Sequence, residues 1–331
     1  MEKQQWNPGS LLQLSGQYWA TCTLHAAVKL DVFTAIGDQQ LAGGDIAQKL
    51  NISKEGTVRL LNALTAMNLL EKSDDKFSSV PAGKTFLSKN SSEYIGHMIT
   101  HHHHLMDSWS KLDQGVKTGT PVRVRGSHTS SEWRESFLMG MFNIAMSVAP
   151  LLADKIDLSG RRYILDLGGG PGTYAIHYCL KNPGLKATVY DLPTTRPFAE
   201  KTIGKFGLTE RIDFMDGNYV EEDIEGIYDV AWLSHILHGE GQKDCQRIIE
   251  KTVSALEPGG MIIVHDFILN NTMDGPLFPA LFSLNMFLGT PDGQSYSEKQ
   301  ITYMLDKAGV KEIRRLSFQG PNDSGIITGT V

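Results

Sequence analysis

The chain has little cysteine, three in 331 residues, and Cys22, Cys179 and Cys245 are too scattered for a disulfide framework or a zinc knuckle. That usage suits a reducing, cytoplasmic setting. An excess of cations is also missing: 31 Lys and Arg stand against 37 Asp and Glu, a net charge of -6, which lacks the electrostatic footprint of a general nucleic-acid binder. No signal-peptide pattern opens at Met1-Glu-Lys-Gln-Gln5, and no apolar run approaches the roughly 20 residues that cross a bilayer. Neither nucleic acid nor membrane is therefore an expected partner. Internal repeats and low-complexity segments are absent, leaving one biased patch, the histidines from His97 to His104. A length of 331 residues is long for one core and favours two domains.

The N-terminal third reads as helices. From Leu11 to about Ile36 apolar residues recur at three- and four-residue spacings, including Leu14, Tyr18, Leu24, Ala27, Val28 and Val32. A short helix over Asp45–Leu50 stops at Asn51, and Ser53 caps a longer one carrying Val58, Leu61, Leu64 and Leu69. Glu71 to Val80 reads as two short strands around Asp74-Asp75. Helix, turn, helix and hairpin make a winged helix, over residues 1–92. Its second helix has only Lys54 and Arg59 as cations, too few for reading a major groove. The first helix is apolar on more than one face, with Trp19 and Phe33, and so implies burial against a second copy of the chain. Residues 93–157 read as bridging helices broken by a loop from Gly119 to Gly126.

From Arg162 onward strand-like runs alternate with helical ones: Tyr163–Leu167, Ala187–Tyr190, Arg211–Met215, Tyr228–Leu233 and Met261–Val264. Such alternation predicts an α/β domain, Rossmann-like, with a mostly parallel sheet over residues 158–331. The first run ends in Asp166-Leu-Gly-Gly-Gly-Pro-Gly172, where glycines let backbone approach a ligand and the next helix aims free N–H groups at it. The third glycine of a dinucleotide fingerprint is missing, since Thr173, Tyr174 and Ala175 follow Gly172. Downstream, Asp191 ends the second run and is suited to two ribose hydroxyls. A single nucleoside fits this pair better than a dinucleotide. Asp166, Asp191, Asn218, His238 and Asp266 all fall near the carboxyl ends of strands, where ligands bind in such sheets.

Taken in order, Leu165-Asp-Leu-Gly-Gly-Gly-Pro-Gly172, Tyr190-Asp-Leu-Pro193, Leu233-Ser-His-Ile-Leu-His238, Leu256-Glu-Pro-Gly-Gly260, Val264-His-Asp-Phe-Ile-Leu269 and Gly275 to Met286 resemble the S-adenosylmethionine-dependent O-methyltransferases of the caffeate and hydroxyneurosporene type. The resemblance covers most of the chain and implies a winged-helix dimerisation domain before a class I methyltransferase domain. It implies that S-adenosyl-L-methionine is held by Asp166, Gly168, Gly169, Gly170, Asp191, Leu192, Gly217, Asn218, Tyr219 and Ser234. Asn218 stands where the family has Asp, and its carbonyl oxygen can still meet an adenine amino group. His238 matches the general base and Asp266 its acidic partner; the family's following Asp-Trp is here Gly239-Glu240, and a second acidic position falls near Ser295. A histidine suits the task, because its ordinary pKa near 6.5 lets it take a proton from a phenol-like hydroxyl. Without the motif, His238 would read as a helix-start histidine and Asp266 as a strand-end turn residue; His235 is a secondary candidate that lines the pocket or packs.

By the same resemblance His101, His104, Trp109, Phe142, Met146 and Met286 bind an aromatic, quinone or polyketide-like acceptor, the last three having core packing as the alternative. His97, His101 and His104 share one helix face, but no cysteine is near and the first acid downstream is Asp107, so no metal is expected. Two other functions remain open: methylation at carbon or nitrogen on the same fold, and a winged-helix regulator that senses a nucleoside ligand.

Overall fold

The computed structural model describes residues 5–123 and 131–331. They divide into two units, Met1–Leu105 and Met106–Val331. The expected loop from Gly119 to Gly126 lies outside the described residues beyond Arg123.

In the first unit the stretch expected to be helical from Leu11 to Ile36 is three helices, α1 (Pro8–Gly16), α2 (Tyr18–Lys29) and α3 (Val32–Ile36). The chain tightens at Gln17, whose N–H bonds to Leu14 O, and turns again at Asp31, which takes a left-handed φ of 58°. A short strand β1 (Leu41–Ala42) leads into α4 (Gly43–Leu50), which stops at the left-handed Asn51, φ 55°. The side chain of Ser53 accepts the Gly56 N–H and starts α5 (Lys54–Ala66), leaving Leu69 outside the helix. Strands β2 (Leu70–Ser73) and β3 (Lys76–Ser79) pair around Asp74, and β1 adds to β3, giving the wing. Helices α6 (Pro81–Leu87) and α7 (Gly96–Trp109) follow. Phe33, Ile36, Ile46, Leu61, Leu64 and Phe77 form the core of this unit.

The histidine patch also touches α2. His25 on α2 is buried, its Nδ1 has no hydrogen-bond partner, and its ring lies edge-on to His103 with centroids 5.6 Å apart. The Lys29 ammonium donates to His103 Nε2 at 2.9 Å. Burial, then the neighbouring His103, His102 and Lys29 charges, push His25 down to about 4. A depressed histidine contributes stability that is complete above its unfolded pKa and is lost as pH falls through the folded one. The expected result is a fall in thermal stability between pH 6.5 and 4, by up to about 3 kcal/mol from this group. Melting curves of His25→Leu across that range should be flatter than wild type; equal slopes would remove His25 as the cause.

The second unit contains α8 (Leu112–Thr118) and α9 (Ser131–Lys155), then a seven-stranded sheet. In chain order come β4 (Tyr163–Leu167), α10 (Thr173–Lys181), β5 (Lys186–Asp191), α11 (Arg196–Lys205), β6 (Ile212–Asp216), β7 (Tyr228–Ser234), α12 (Gln242–Ser254), β8 (Leu256–Phe267), α13 (Leu277–Gly289), α14 (Glu298–Lys307), β9 (Lys311–Arg315) and β10 (Ser324–Thr330). Their spatial order is β6-β5-β4-β7-β8-β10-β9; β4 to β8 run parallel and β10 is antiparallel to both neighbours. Every expected strand is present, and β8 begins earlier than Met261, taking in the Glu-Pro-Gly-Gly turn as its first residues.

One sheet face, including Trp232, packs on Val148, Ala149, Leu152 and Tyr178, and the other, including Leu233, on Ile248, Ile249, Met304 and Leu305. Continuous burial of β4 and β7 follows from covering a parallel sheet on both sides. One helix departs from the sequence reading, since Trp133–Lys155 is long and apolar enough to cross a membrane, with mean hydropathy 1.6. Its Val148, Ala149, Leu152 and Ala153 are spent on the sheet core, which accounts for the apolar composition. Register then brings the strand ends level: Asp191 pairs with Asp216, and Ser234 with His265.

Candidate active site

The glycine loop leaves β4 through left-handed Gly168 (φ 65°), Gly170 (φ 54°) and Gly172 (φ 77°), conformations that side chains rarely adopt. A Cβ at Gly168 would sit 2.5 Å from Ile236 Cγ2 and 3.2 Å from Tyr219 Cε1, so this glycine also allows close packing across the strand ends. Asp166, within β4, is 1% exposed and accepts the Ala175 N–H at Oδ2, 3.1 Å away, while Oδ1 has no partner. Burial pushes its carboxyl up to about 7, with the Ala175 N–H opposing and the Asp191 charge adding to the rise. A buried carboxylate oxygen without a donor, under a glycine cradle, suits the cationic end of an amino-acid ligand.

Asp191 is arranged differently. Its Oδ2 accepts the Gly170 N–H at 2.8 Å, and Oδ1 accepts the Leu192 N–H at 2.7 Å and the Thr195 hydroxyl at 3.0 Å. Burial still raises its pKa against these donors. Three of roughly four acceptor positions on the carboxylate are thus used to fasten the loop. A Cβ at Gly217 would collide with the Tyr190 hydroxyl, so a larger residue there must displace that ring. Asn218 Oδ1 accepts the Val220 N–H at 3.1 Å, so its side-chain oxygen is engaged in a local turn. The Ser234 hydroxyl pairs with His265 Nδ1 at 3.0 Å.

The chemically active pair lies at the ends of β7 and β8. His238 sits in a single 3-10 turn, Leu237–Gly239, with Nδ1 2.7 Å from Asp266 Oδ1. Asp266 is 4% exposed and also accepts the Phe267 N–H. Burial alone would raise its carboxyl, yet the His238 and His235 imidazoles beside it hold it well below the usual carboxylate range. A carboxylate on Nδ1 makes that nitrogen the donor and leaves Nε2 as a proton acceptor. Around this pair stands an aromatic wall. The Phe282 ring is 4.7 Å from that of His238, and Phe267 lies 4.7 Å from Phe282 and 4.9 Å from Phe278.

The expected acceptor residues divide into three places. Met286 follows Phe278 and Phe282 at four-residue steps along α13, hence on one face of that helix. Trp109 Nε1 donates to Asn285 Oδ1, which also receives Arg123 Nη1 at 3.0 Å, tying Trp109 to α13 beside Met286. Phe142 and Met146 share a face of α9, where Met146 Sδ rests 3.4 Å from His177 Nε2 on α10. His101 and His104 belong to the first unit, the His101 ring tilted against His102 and the His104 ring edge-on to His103. Sequence reasoning passed over Phe267, Phe278, Phe282 and the loop partner Thr195. The four-residue spacing of Phe278 and Phe282 was the available signal.

Residues 111–311 match the O-methyltransferase domain family, and residues 12–89 match the O-methyltransferase dimerisation domain. The 3-hydroxy-5-methyl-1-naphthoate 3-O-methyltransferase of Streptomyces sahachiroi is 31% identical over 97% of this chain and 95% of its own. The N,N-dimethyltransferase OxyT of Streptomyces rimosus is 28% identical over 91% and 90%. The solved structure of PigF with SAH, a methyl transferase known from Serratia sp., superposes with a TM-score of 0.90 at 25% identity, covering 98% of this chain and 100% of that one. The chain belongs to the O-methyltransferase family. It is an S-adenosylmethionine-dependent methyltransferase with an N-terminal dimerisation domain.

Proposed function

We propose that this enzyme methylates a hydroxyl on a planar aromatic, quinone or polyketide-like small molecule, with His238 as general base and Asp266 as its orienting acid. The observation that carries the reading is the 2.7 Å His238–Asp266 bond set beside the Phe267, Phe278 and Phe282 rings. When bound, S-adenosylmethionine supplies an electrophilic methyl on a sulfonium, so the protein need only position and deprotonate the acceptor. The phenylalanine rings, with Met286 beyond them, hold a flat ring by edge and face contacts and exclude water. His238 Nε2 takes the hydroxyl proton, and the buried Asp266 carboxylate stabilises the imidazolium that results. Trp109, Phe142 and Met146 extend the acceptor surface.

In the same reading, Asp166 Oδ1 meets the cofactor's ammonium and the backbone of Gly168, Gly169 and Gly170 lies against its methionine portion. Asp191 and Leu192 meet the ribose and adenine, and Gly217, Asn218, Tyr219 and Ser234 complete that side. The exposed Trp6, Leu11, Leu12, Leu14, Tyr18 and Trp19 of the dimerisation domain support a homodimer. The free cysteines suit a cytoplasmic enzyme. On α5 the Arg59 guanidinium is paired with Glu55 at 2.6 Å, which supports a domain that meets protein rather than DNA.

Incubation with methyl-labelled cofactor and a panel of phenols, catechols and quinols, followed by mass analysis, tests the proposal. At least one hydroxyl should gain a methyl group. Transfer only to carbon or nitrogen would replace it by the second chemistry, which the similarity to OxyT keeps in view.

A further inference from the structure

Asp266 faces two imidazoles. Besides His238, the Nδ1 of His235 lies 3.5 Å from the same oxygen, Oδ1. That nitrogen is buried and has no hydrogen-bond partner, so Asp266 Oδ1 is the acceptor nearest to hand. The His235 ring is wedged between His265, at 4.5 Å, and Phe267, at 4.4 Å, and its backbone holds a left-handed φ of 57°. A β-strand end that turns left-handed at a residue other than glycine carries strain, which a structure keeps where geometry is put to use. Meanwhile Ser295 is fully buried with its hydroxyl unpaired, and Gly293 just before it packs on the His238 carbonyl.

We propose that His235 is a positioning residue that shares the Asp266 carboxylate with His238 and so sets how strongly His238 holds a proton. The inference rests on His238 being the base. A carboxylate oxygen approached by two N–H groups divides its charge between them, so the imidazolium of His238 gains less from Asp266 than it would alone.

The other titratable groups near the pair leave this assignment intact. His265, on β8, is held far below its ordinary value by burial and then by His235. The Cys245 thiol, on α12, is pushed up to about 12 by burial, and the Tyr296 phenol is raised beyond that range by burial and Cys245. Glu240 follows His238 closely in the chain, and α13 presents only the uncharged Phe278 and Phe282.

The test is the pH profile of the single-turnover methyl-transfer rate, which reads chemistry rather than product release. Glycine and asparagine both tolerate the left-handed backbone, so His235→Gly and His235→Asn preserve the turn. In His235→Gly the acidic limb should move to higher pH by about half to one unit, a threefold to tenfold loss of rate on that limb. In His235→Asn, whose amide N–H can still reach the carboxylate, the limb should return toward its wild-type position. Should the glycine variant melt too low to assay, His235→Ala, which also offers no donor to Asp266, carries the same expectation. A limb that stays in place while rates fall at every pH would reduce His235 to a packing residue. A limb that moves equally in the asparagine variant would also overturn the shared carboxylate. His238→Gln separates the two claims: if it keeps full activity, the base assignment itself is at fault.

Discussion

His238→Gln lowers the rate of methyl transfer about a thousandfold while S-adenosylhomocysteine still binds within about threefold of wild type. The factor is equivalent to about 4 kcal/mol of transition-state stabilisation. Glutamine is the informative substitution because its amide can still donate to Asp266, whereas it offers no basic nitrogen. His238→Ala should be equally slow and also less stable, since it leaves the buried Asp266 carboxylate without the donor now 2.7 Å away. Single-turnover rates, melting temperatures and calorimetry with S-adenosylhomocysteine distinguish these effects. Glutamine retaining even a tenth of the wild-type rate would mean that the proton leaves by another route, and the hydroxyl-acceptor mechanism would fall with it.

The motif at this site was legible because its chemistry is concentrated in short runs. A parallel sheet needs unbroken apolar strands, and β4, β5 and β8 each carry at or next to their last position a residue that differs sharply from the run before it, Asp166, Asp191 and Asp266. β9 and β10 escaped for the opposite reason. β9 has charges at Lys311, Glu312, Arg314 and Arg315, and β10 mixes Gly325 and Gly329 with threonines, so neither shows an apolar period. The N-terminal helices were legible as a region and not as separate elements, because the breaks at Gln17 and Asp31 depend on local backbone turns.

Contacts between distant segments were legible only where the family resemblance supplied them, as for His238 and Asp266. Nothing in Leu233 to His238 says that His235 will share an oxygen with His238, for that depends on β7 and β8 lying in register with Ser234 beside His265. The same holds for Met146, whose sulfur finds His177 through the packing of α9 on α10. Residue type and spacing report which chemistry is available. Register and helix packing decide which groups meet.

The second large effect concerns the glycine loop, where three adjacent positions should respond very differently to one added carbon. A Cβ at Gly170 would meet nothing within 4 Å, so Gly170→Ala bears only the strain of φ 54°, about 1 kcal/mol. At Gly169 the backbone is ordinary, but a Cβ would lie 2.7 Å from Asp166 Cγ, 2.8 Å from its Oδ2 and 2.9 Å from its backbone oxygen. None of those atoms can yield alone: Oδ2 is fastened to the Ala175 N–H at the start of α10, and Asp166 lies inside β4. Gly169→Ala must therefore displace either the carboxylate or the loop, and both belong to the cradle assigned to the methionine end of the cofactor. The expected result is a loss of S-adenosylhomocysteine affinity of at least a hundredfold, about 2.7 kcal/mol, against less than tenfold for Gly170→Ala. Gly168→Ala combines left-handed strain with a 2.5 Å approach to Ile236 and should lose melting temperature as well as affinity. Calorimetric titration of the three variants orders them directly. Wild-type affinity in Gly169→Ala would show that the cofactor is held elsewhere, because no arrangement using both Asp166 and this loop survives that contact.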